Sequence, residues 1–180
     1  MTDRTQWMLA GAVGVILAGA AAFAAVTWGR EMHTASAGEP MPDFYAHTMA
    51  EPPVTKHFSD WRGKVVIVNV WATYCIPCRT EMPSLERVWK QLGPRGLVVL
   101  GVSIDDPGME PSIRAFTQEY GLTFPILQEG TGHIEQMLDA FGVPATFVIG
   151  KDGVIRKKII GATAWDSPDN VALVERLLAE

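Results

Sequence analysis

The stretch Val65-Val66-Ile67-Val68-Asn69-Val70-Trp71-Ala72-Thr73-Tyr74-Cys75-Ile76-Pro77-Cys78 decides how the rest of the chain is read. A run of β-branched residues without charge predicts a strand buried on both faces, and Trp71 to Tyr74 carry it into a helix beginning near Cys75. A thiol at that junction meets free N–H groups and the positive end of the helix dipole, both of which favour a thiolate. Cys75 is therefore expected to be the exposed nucleophile. Cys78, one turn further on and more buried, is placed to close a disulfide with it and to resolve mixed disulfides.

Other uses of a Cys-x-x-Cys pair fit less well. A closed zinc site needs two more ligands, no second cysteine pair exists, and His33, His47, His57 and His133 lack ligand spacing. An inert structural disulfide would not need the strand-to-helix setting. A dithiol switch uses it directly.

Residues 71 to 85, Trp-Ala-Thr-Tyr-Cys-Ile-Pro-Cys-Arg-Thr-Glu-Met-Pro-Ser-Leu, resemble the active site of membrane-anchored thioredoxin-like thiol:disulfide oxidoreductases of the TlpA/ResA/CcmG group. Gly142-Val143-Pro144-Ala145-Thr146-Phe147 is similar to that group's second signature, and Arg62-Gly63-Lys64 leads into the strand as it does there. The match runs over about residues 40 to 178. Three ordered motifs are far more specific than a lone Cys-x-x-Cys.

The resemblance implies a thioredoxin fold: an α/β architecture with a mixed central sheet, helices on both faces and a strand-helix insertion around residues 105 to 130. It also bears on the proton chemistry. Glu81 lies three residues beyond Cys78, on the same side of the helix, where it is either a solvated surface residue or a partly desolvated proton shuttle. The family carries a glutamate at this offset, which supports the shuttle. Cytosolic thioredoxins have a buried aspartate where this chain has Asn69, and an amide cannot relay a proton by ionising. By the same resemblance Pro144 is expected to follow a cis peptide bond and to sit against the dithiol. Val143 would offer main-chain groups to an extended substrate. Trp71 and Tyr74 would shield the cysteines, with Ile76 and Pro77 completing the substrate-binding set. Pro77 suits the first turn of a helix, where its missing N–H is not needed.

The chain has 180 residues and a net charge of -5, with no basic cluster, so nucleic acid is not an expected partner. With two cysteines in one motif, stability must come from packing rather than from disulfide staples. Residues 7 to 28 carry no charged side chain, and a helix of that length, at ~1.5 Å per residue, matches the ~30 Å hydrocarbon core of a bilayer. Trp7 and Trp28 suit its two interfaces. Ala35-Ser36-Ala37 also offers a small-x-small signal-peptidase pattern, but the apolar run is long for a signal peptide and distant from that site, so an uncleaved anchor is expected.

The resulting organisation is a short cytoplasmic N-terminus (1 to 6), a transmembrane anchor (7 to 28), a linker (29 to 40) and a thioredoxin-like domain (41 to 180). Charge counting across the anchor is nearly neutral. A large domain after a short N-terminal segment, together with the resemblance, places the domain outside a bacterial inner membrane, in the periplasm.

Within the domain, residues up to Pro53 read as linker and irregular pieces. A helix from about Cys75 passes through Pro83, which should bend it, and ends at Gly93 to Gly96. A second buried strand follows at Leu97 to Ile104. Ser112 is expected to cap a helix through Tyr120, followed by an extended Phe124 to Leu127 and a helix from Ile134 to Phe141. Thr146 to Ile149 and Val154 to Ile160 read as a hairpin across Gly150 to Gly153, with a last helix from Val171 to Leu178.

The resemblance implies a disulfide reductase with no cofactor beyond the Cys75-Cys78 pair. Its partners would be a disulfide-containing protein, either apocytochrome c or an oxidase subunit or assembly factor, and a transmembrane thiol reductant as electron donor. A copper metallochaperone using the same cysteines is the non-enzymatic alternative, with Met32, His33, Met41, His47 and Met49 as a conceivable tract. Related copper-insertion proteins place three residues between their cysteines, and this chain places two. A thiol peroxidase is the other alternative, but Val68 stands where the peroxidatic motif has proline.

Overall fold

The computed structural model describes Gly14, residues 16 to 20 and residues 35 to 180. Gly14 and residues 16 to 20 are exposed and helical, and the remainder of the expected anchor lies outside the described residues. Among the described residues no helix is long and apolar enough to cross a membrane. A compact unit runs from residue 34 to residue 180.

Its sheet has seven strands: β1 (Tyr45–Thr48), β2 (Thr55–His57), β3 (Val65–Trp71), β4 (Leu97–Ser103), β5 (Ile126–Gln128), β6 (Ala145–Ile149) and β7 (Ile155–Ile160). They lie in the order β2-β1-β5-β4-β3-β6-β7. β3, β4 and β5 run parallel, while β6, β7, β1 and β2 each pair antiparallel with their neighbours. Four α-helices complete the unit, with two short 3-10 turns at Phe58–Trp61 and Gly93–Arg95: α1 (Ile76–Leu92), α2 (Glu110–Glu119), α3 (His133–Met137) and α4 (Pro168–Ala179).

The alternation of a strand's side chains sorts β3 between two cores. Val65, Ile67 and Trp71 join Met82, Leu85 and Val88 of α1, Phe116 of α2 and Leu177 of α4. Val66, Val68 and Val70 join Phe147, Ile149, Phe44 and Ile134 on the other face. The β-branched run is therefore buried throughout, as expected of a central parallel strand. Two successive crossovers, β3-α1-β4 and β4-α2-β5, step the same way across the sheet and so lay both helices on one face. Phe147 is fully buried in the second core. Phe147→Ala is expected to cost about 3–5 kcal/mol of stability, measured as a shift in the urea midpoint with the slope unchanged.

Several elements differ from expectation. Residues 43 to 57 hold the edge hairpin β1-β2 rather than irregular chain, with Tyr45 opposite His57. These strands have little apolar alternation of their own; β1 is held by pairing to β5 through His47 and Gln128. Residues 35 to 40, expected as linker, pack on the domain: Ala35 is buried, and Gly38 N–H donates to the Ile155 carbonyl at 2.8 Å. α2 starts at Glu110 with Met109 as its cap, because Pro111 is favoured in the first turn; Ser112 lies inside the helix. α3 stops at Met137, where Asp139 turns into the left-handed region at φ 49°. Lys158 Nζ donates to the freed carbonyls of Leu138 (3.2 Å) and Asp139 (3.1 Å). Pro83 lies within α1, which continues through it.

Candidate active site

β3 ends at Trp71, and Cys75 is the extended N-cap of α1. Cys75 and Cys78 form a disulfide with Cα atoms 5.3 Å apart, and the Cys78 N–H donates to Cys75 Sγ at 3.1 Å. The helix end thus aims a main-chain donor at the first sulfur, the contact that favours a thiolate there. Cys78 is wholly buried. Cys75 is buried too, at 5% exposure, rather than exposed as expected, because it packs in the apolar cluster with Ala72 and Met82. Tyr74 and Ile76 on either side project outward, 68% and 76% exposed.

Glu81 is buried at 1% exposure, so it is not a solvated surface residue. The period of β3 explains the site. Asn69 faces α1 with Val65, Ile67 and Trp71, and Thr146 of β6 lies directly opposite it. Asn69 Nδ2 donates to Glu81 Oε1 at 2.5 Å and to Thr146 Oγ1 at 2.8 Å. Thr163 N–H, from the loop after β7, donates to Glu81 Oε2 at 3.1 Å. That loop is tied down beside it by Trp165 N–H donating to Ser84 Oγ at 3.0 Å. Burial pushes the Glu81 carboxyl above the usual range, against the opposing pull of the Thr163 and Asn69 donors and weaker help from Trp165 and Thr146. The Trp165 indole N–H faces the carboxylate without reaching hydrogen-bond geometry.

Asn69 Oδ1 is a buried acceptor without a partner. A half-turn of this amide would present that oxygen to a protonated Glu81, so the orphan atom suits the acid form of the site.

The remaining expected residues divide. The Val143-Pro144 peptide is cis, Pro144 is buried, and Val143 packs against the cluster that holds both cysteines. Pro77 occupies the first turn of α1. Trp71 is a correction: it is fully buried and packs on Phe116 with ring centroids 4.6 Å apart, so it floors the site and cannot touch a substrate. Its place on the inward period of β3 dictates this. Met41 and Met49 pack into opposite cores and do not converge.

Sequence reasoning missed Thr146, Thr163 and Trp165, which long-range folding brings to Glu81. It also missed Phe141, a large apolar side chain 75% exposed just before the Gly142-Val143-Pro144 segment. An aromatic side chain in that flanking position was the available signal.

The profile of the AhpC/TSA family matches residues 37–158. The thiol-disulfide oxidoreductase ResA of Oceanobacillus iheyensis is 30% identical over 166 residues, covering 91% of this chain and 85% of that protein. The thiol:disulfide interchange protein DsbE of Pseudomonas aeruginosa is 31% identical over 131 residues, covering 73% of this chain and 70% of that protein. Among solved structures, a thiol:disulfide interchange protein of the thioredoxin family from Chlorobium tepidum superposes with TM-score 0.65 at 25% identity, covering 79% of this chain and 98% of that one. A dithiol whose first sulfur caps a helix at the end of a central strand is equipped for thiol-disulfide interchange, and the chain belongs to the AhpC/TSA family as a thioredoxin-like thiol:disulfide oxidoreductase of the ResA and DsbE type.

Proposed function

We propose that the chain is a membrane-tethered periplasmic disulfide reductase whose working pair is Cys75 and Cys78, serving apocytochrome c or an oxidase subunit or assembly factor. The observation that carries the reading is a buried carboxyl, Glu81, one turn below a buried Cys78 on the helix whose N-terminus holds Cys75.

In the reduced protein the Cys75 thiolate attacks one sulfur of a substrate disulfide. A mixed disulfide forms, and the displaced substrate thiolate takes a proton from solvent. Cys78 then gives its proton to Glu81 and attacks Cys75 Sγ, closing the intramolecular disulfide and releasing the second substrate sulfur as a thiolate. Two electrons pass to the substrate, and the oxidised state is the one the structure holds. Tyr74, Ile76, Pro77, Val143 and Pro144 frame the substrate side. A transmembrane dithiol donor recharges the pair, and no cofactor beyond it is needed.

The anchor reading rests on the uncharged run of residues 7 to 28. Burial of Ala35 in the domain core supports an uncleaved segment, since a cut after Ala37 would remove that side chain from its packing.

The direction of the reaction is tested by the reduction potential of the Cys75-Cys78 pair in glutathione or dithiothreitol buffers. A value near about -270 mV or lower is expected of a dedicated reductant. A value near about -120 mV would make the protein an oxidant and overturn the assigned direction.

A further inference from the structure

We propose that Asp105 is a positioning residue for Cys75, its buried carboxylate clamping the turn that hands β3 over to α1. The proposal rests on the reading above that Cys75 reacts. Asp105 follows β4, lies at 2% exposure and falls outside all three sequence motifs.

Its carboxylate accepts three groups. Thr73 N–H donates to both oxygens, at 2.9 and 3.2 Å, Thr73 Oγ1 donates at 2.6 Å, and Ser103 Oγ donates at 2.6 Å. Thr73 is also held on its other side, where Arg79 of α1 donates to the Thr73 carbonyl at 3.1 Å. Cys75 N–H donates to the Ala72 carbonyl at 3.1 Å, closing the turn around the clamped residue. The sulfur's place at the head of α1 therefore depends on a residue two positions earlier that is pinned from β4.

The clamp is itself braced. Gln128 Nε2 donates to the carbonyls of Asp105 and Asp106, both at 3.1 Å, and Glu129 N–H donates to the Ser103 carbonyl at 2.8 Å. Gly130 leaves the room this needs, since a Cβ there would collide with the Asp105 carbonyl oxygen.

None of the side-chain hydrogen bonds to Asp105 comes from a cation. A neutral acceptor would serve the same donors without the cost of burying a charge. The charge thus has an effect a purely structural clamp would not need: it opposes negative charge on the neighbouring turn, where the Tyr74 phenol is pushed up by burial and by Asp105, with Glu135 and Asp106 adding to it. Thr73 places its N–H and hydroxyl on that carboxylate two residues before Cys75, so the charge stands beside the turn that carries the thiolate, holding it less stable and the dithiol more reducing. Arg79 is the cation that faces the same turn from α1.

The test compares Asp105→Asn, Asp105→Ala and Thr73→Val in the full chain. Asparagine keeps an acceptor for Thr73 and can turn its amide toward Ser103 Oγ, so it removes the charge and spares the clamp. It is expected to shift the thiol-disulfide equilibrium at least about threefold toward the dithiol, or about 15 mV at ~30 mV per tenfold, and to move the Cys75 thiolate titration to lower pH. Asp105→Ala is expected to slow single-turnover reduction of a disulfide peptide about tenfold, with asparagine restoring most of the rate. Thr73→Val, which deletes one of the clamp's contacts, should slow it about threefold and keeps the test usable if the alanine variant does not fold. A lowered melting temperature with potential, thiolate titration and rate all at wild-type values would overturn the proposal. The thiolate titration needs no substrate, so it reads Asp105 even if the assigned substrate class is wrong.

Discussion

Replacing Cys75 by serine is expected to lower the rate of disulfide reduction by about 10³-fold or more, the scale on which covalent catalysis depends on its nucleophile. Serine keeps the N-cap geometry, because its hydroxyl can accept the Cys78 N–H as the sulfur does at 3.1 Å. The fold should survive and the chemistry should not. Cys78→Ser is the informative companion. It leaves the nucleophile in place and removes the resolver, so it should accumulate a mixed disulfide with substrate that survives non-reducing electrophoresis. Single-turnover kinetics with a disulfide peptide check both variants. A Cys75→Ser protein that reduced the peptide at the wild-type rate would remove this pair from the mechanism.

Glu81→Gln is expected to slow the resolving step about 10²-fold near neutral pH, the lower end of what a positioned general base contributes. The difference from wild type should shrink at alkaline pH, where Cys78 ionises without help. The amide can be accommodated, since a rotated Asn69 would offer its unpartnered Oδ1 to the new N–H. Stability should move the opposite way. Burial raises the folded carboxyl above its unfolded value, so the folded state holds the proton more tightly. Its stabilising contribution is whole below the unfolded value, about 4.3, and is lost as pH rises through the folded one. The glutamine variant does not titrate. It is expected to gain stability relative to wild type between about pH 5 and about pH 8, read from urea midpoints at the two pH values. Equal pH profiles of rate for the two proteins would rule out Glu81 as the proton acceptor.

The elements with strong local signals are legible in the sequence. Val65 to Trp71 announces a buried strand because both of its faces are apolar, and Cys75 announces a cap because Pro77 follows it in the first turn. Gly150 to Gly153 turns a hairpin whose strands begin and end within a residue of the expected positions. The edge strands β1 and β2 are not legible. Tyr45–Thr48 buries little more than Ala46 on its own, and it is a strand because β5 supplies partners for its main chain. α2 and α3 depart from expectation for a related reason: a first-turn proline and a left-handed aspartate override the cap and periodicity signals nearby.

The sequence by itself determined the reaction class of this protein, since a dithiol at a strand-to-helix junction is local chemistry, set by residues within one turn of each other. The tertiary structure alone decided how protons and geometry are controlled around it. Glu81 meets Asn69, Thr146 and Thr163 within hydrogen-bond distance, the last of them 82 positions away in the chain. Asp105 reaches Thr73 across 32 positions. Whether a carboxylate ends up in water or in a sealed pocket depends on which strand faces which helix, and side-chain alternation in β3 and its register with β6 make that choice. Burial then sets the titration of Glu81, because the cost of charge is fixed by the surroundings that folding assembles rather than by the residue's neighbours in sequence.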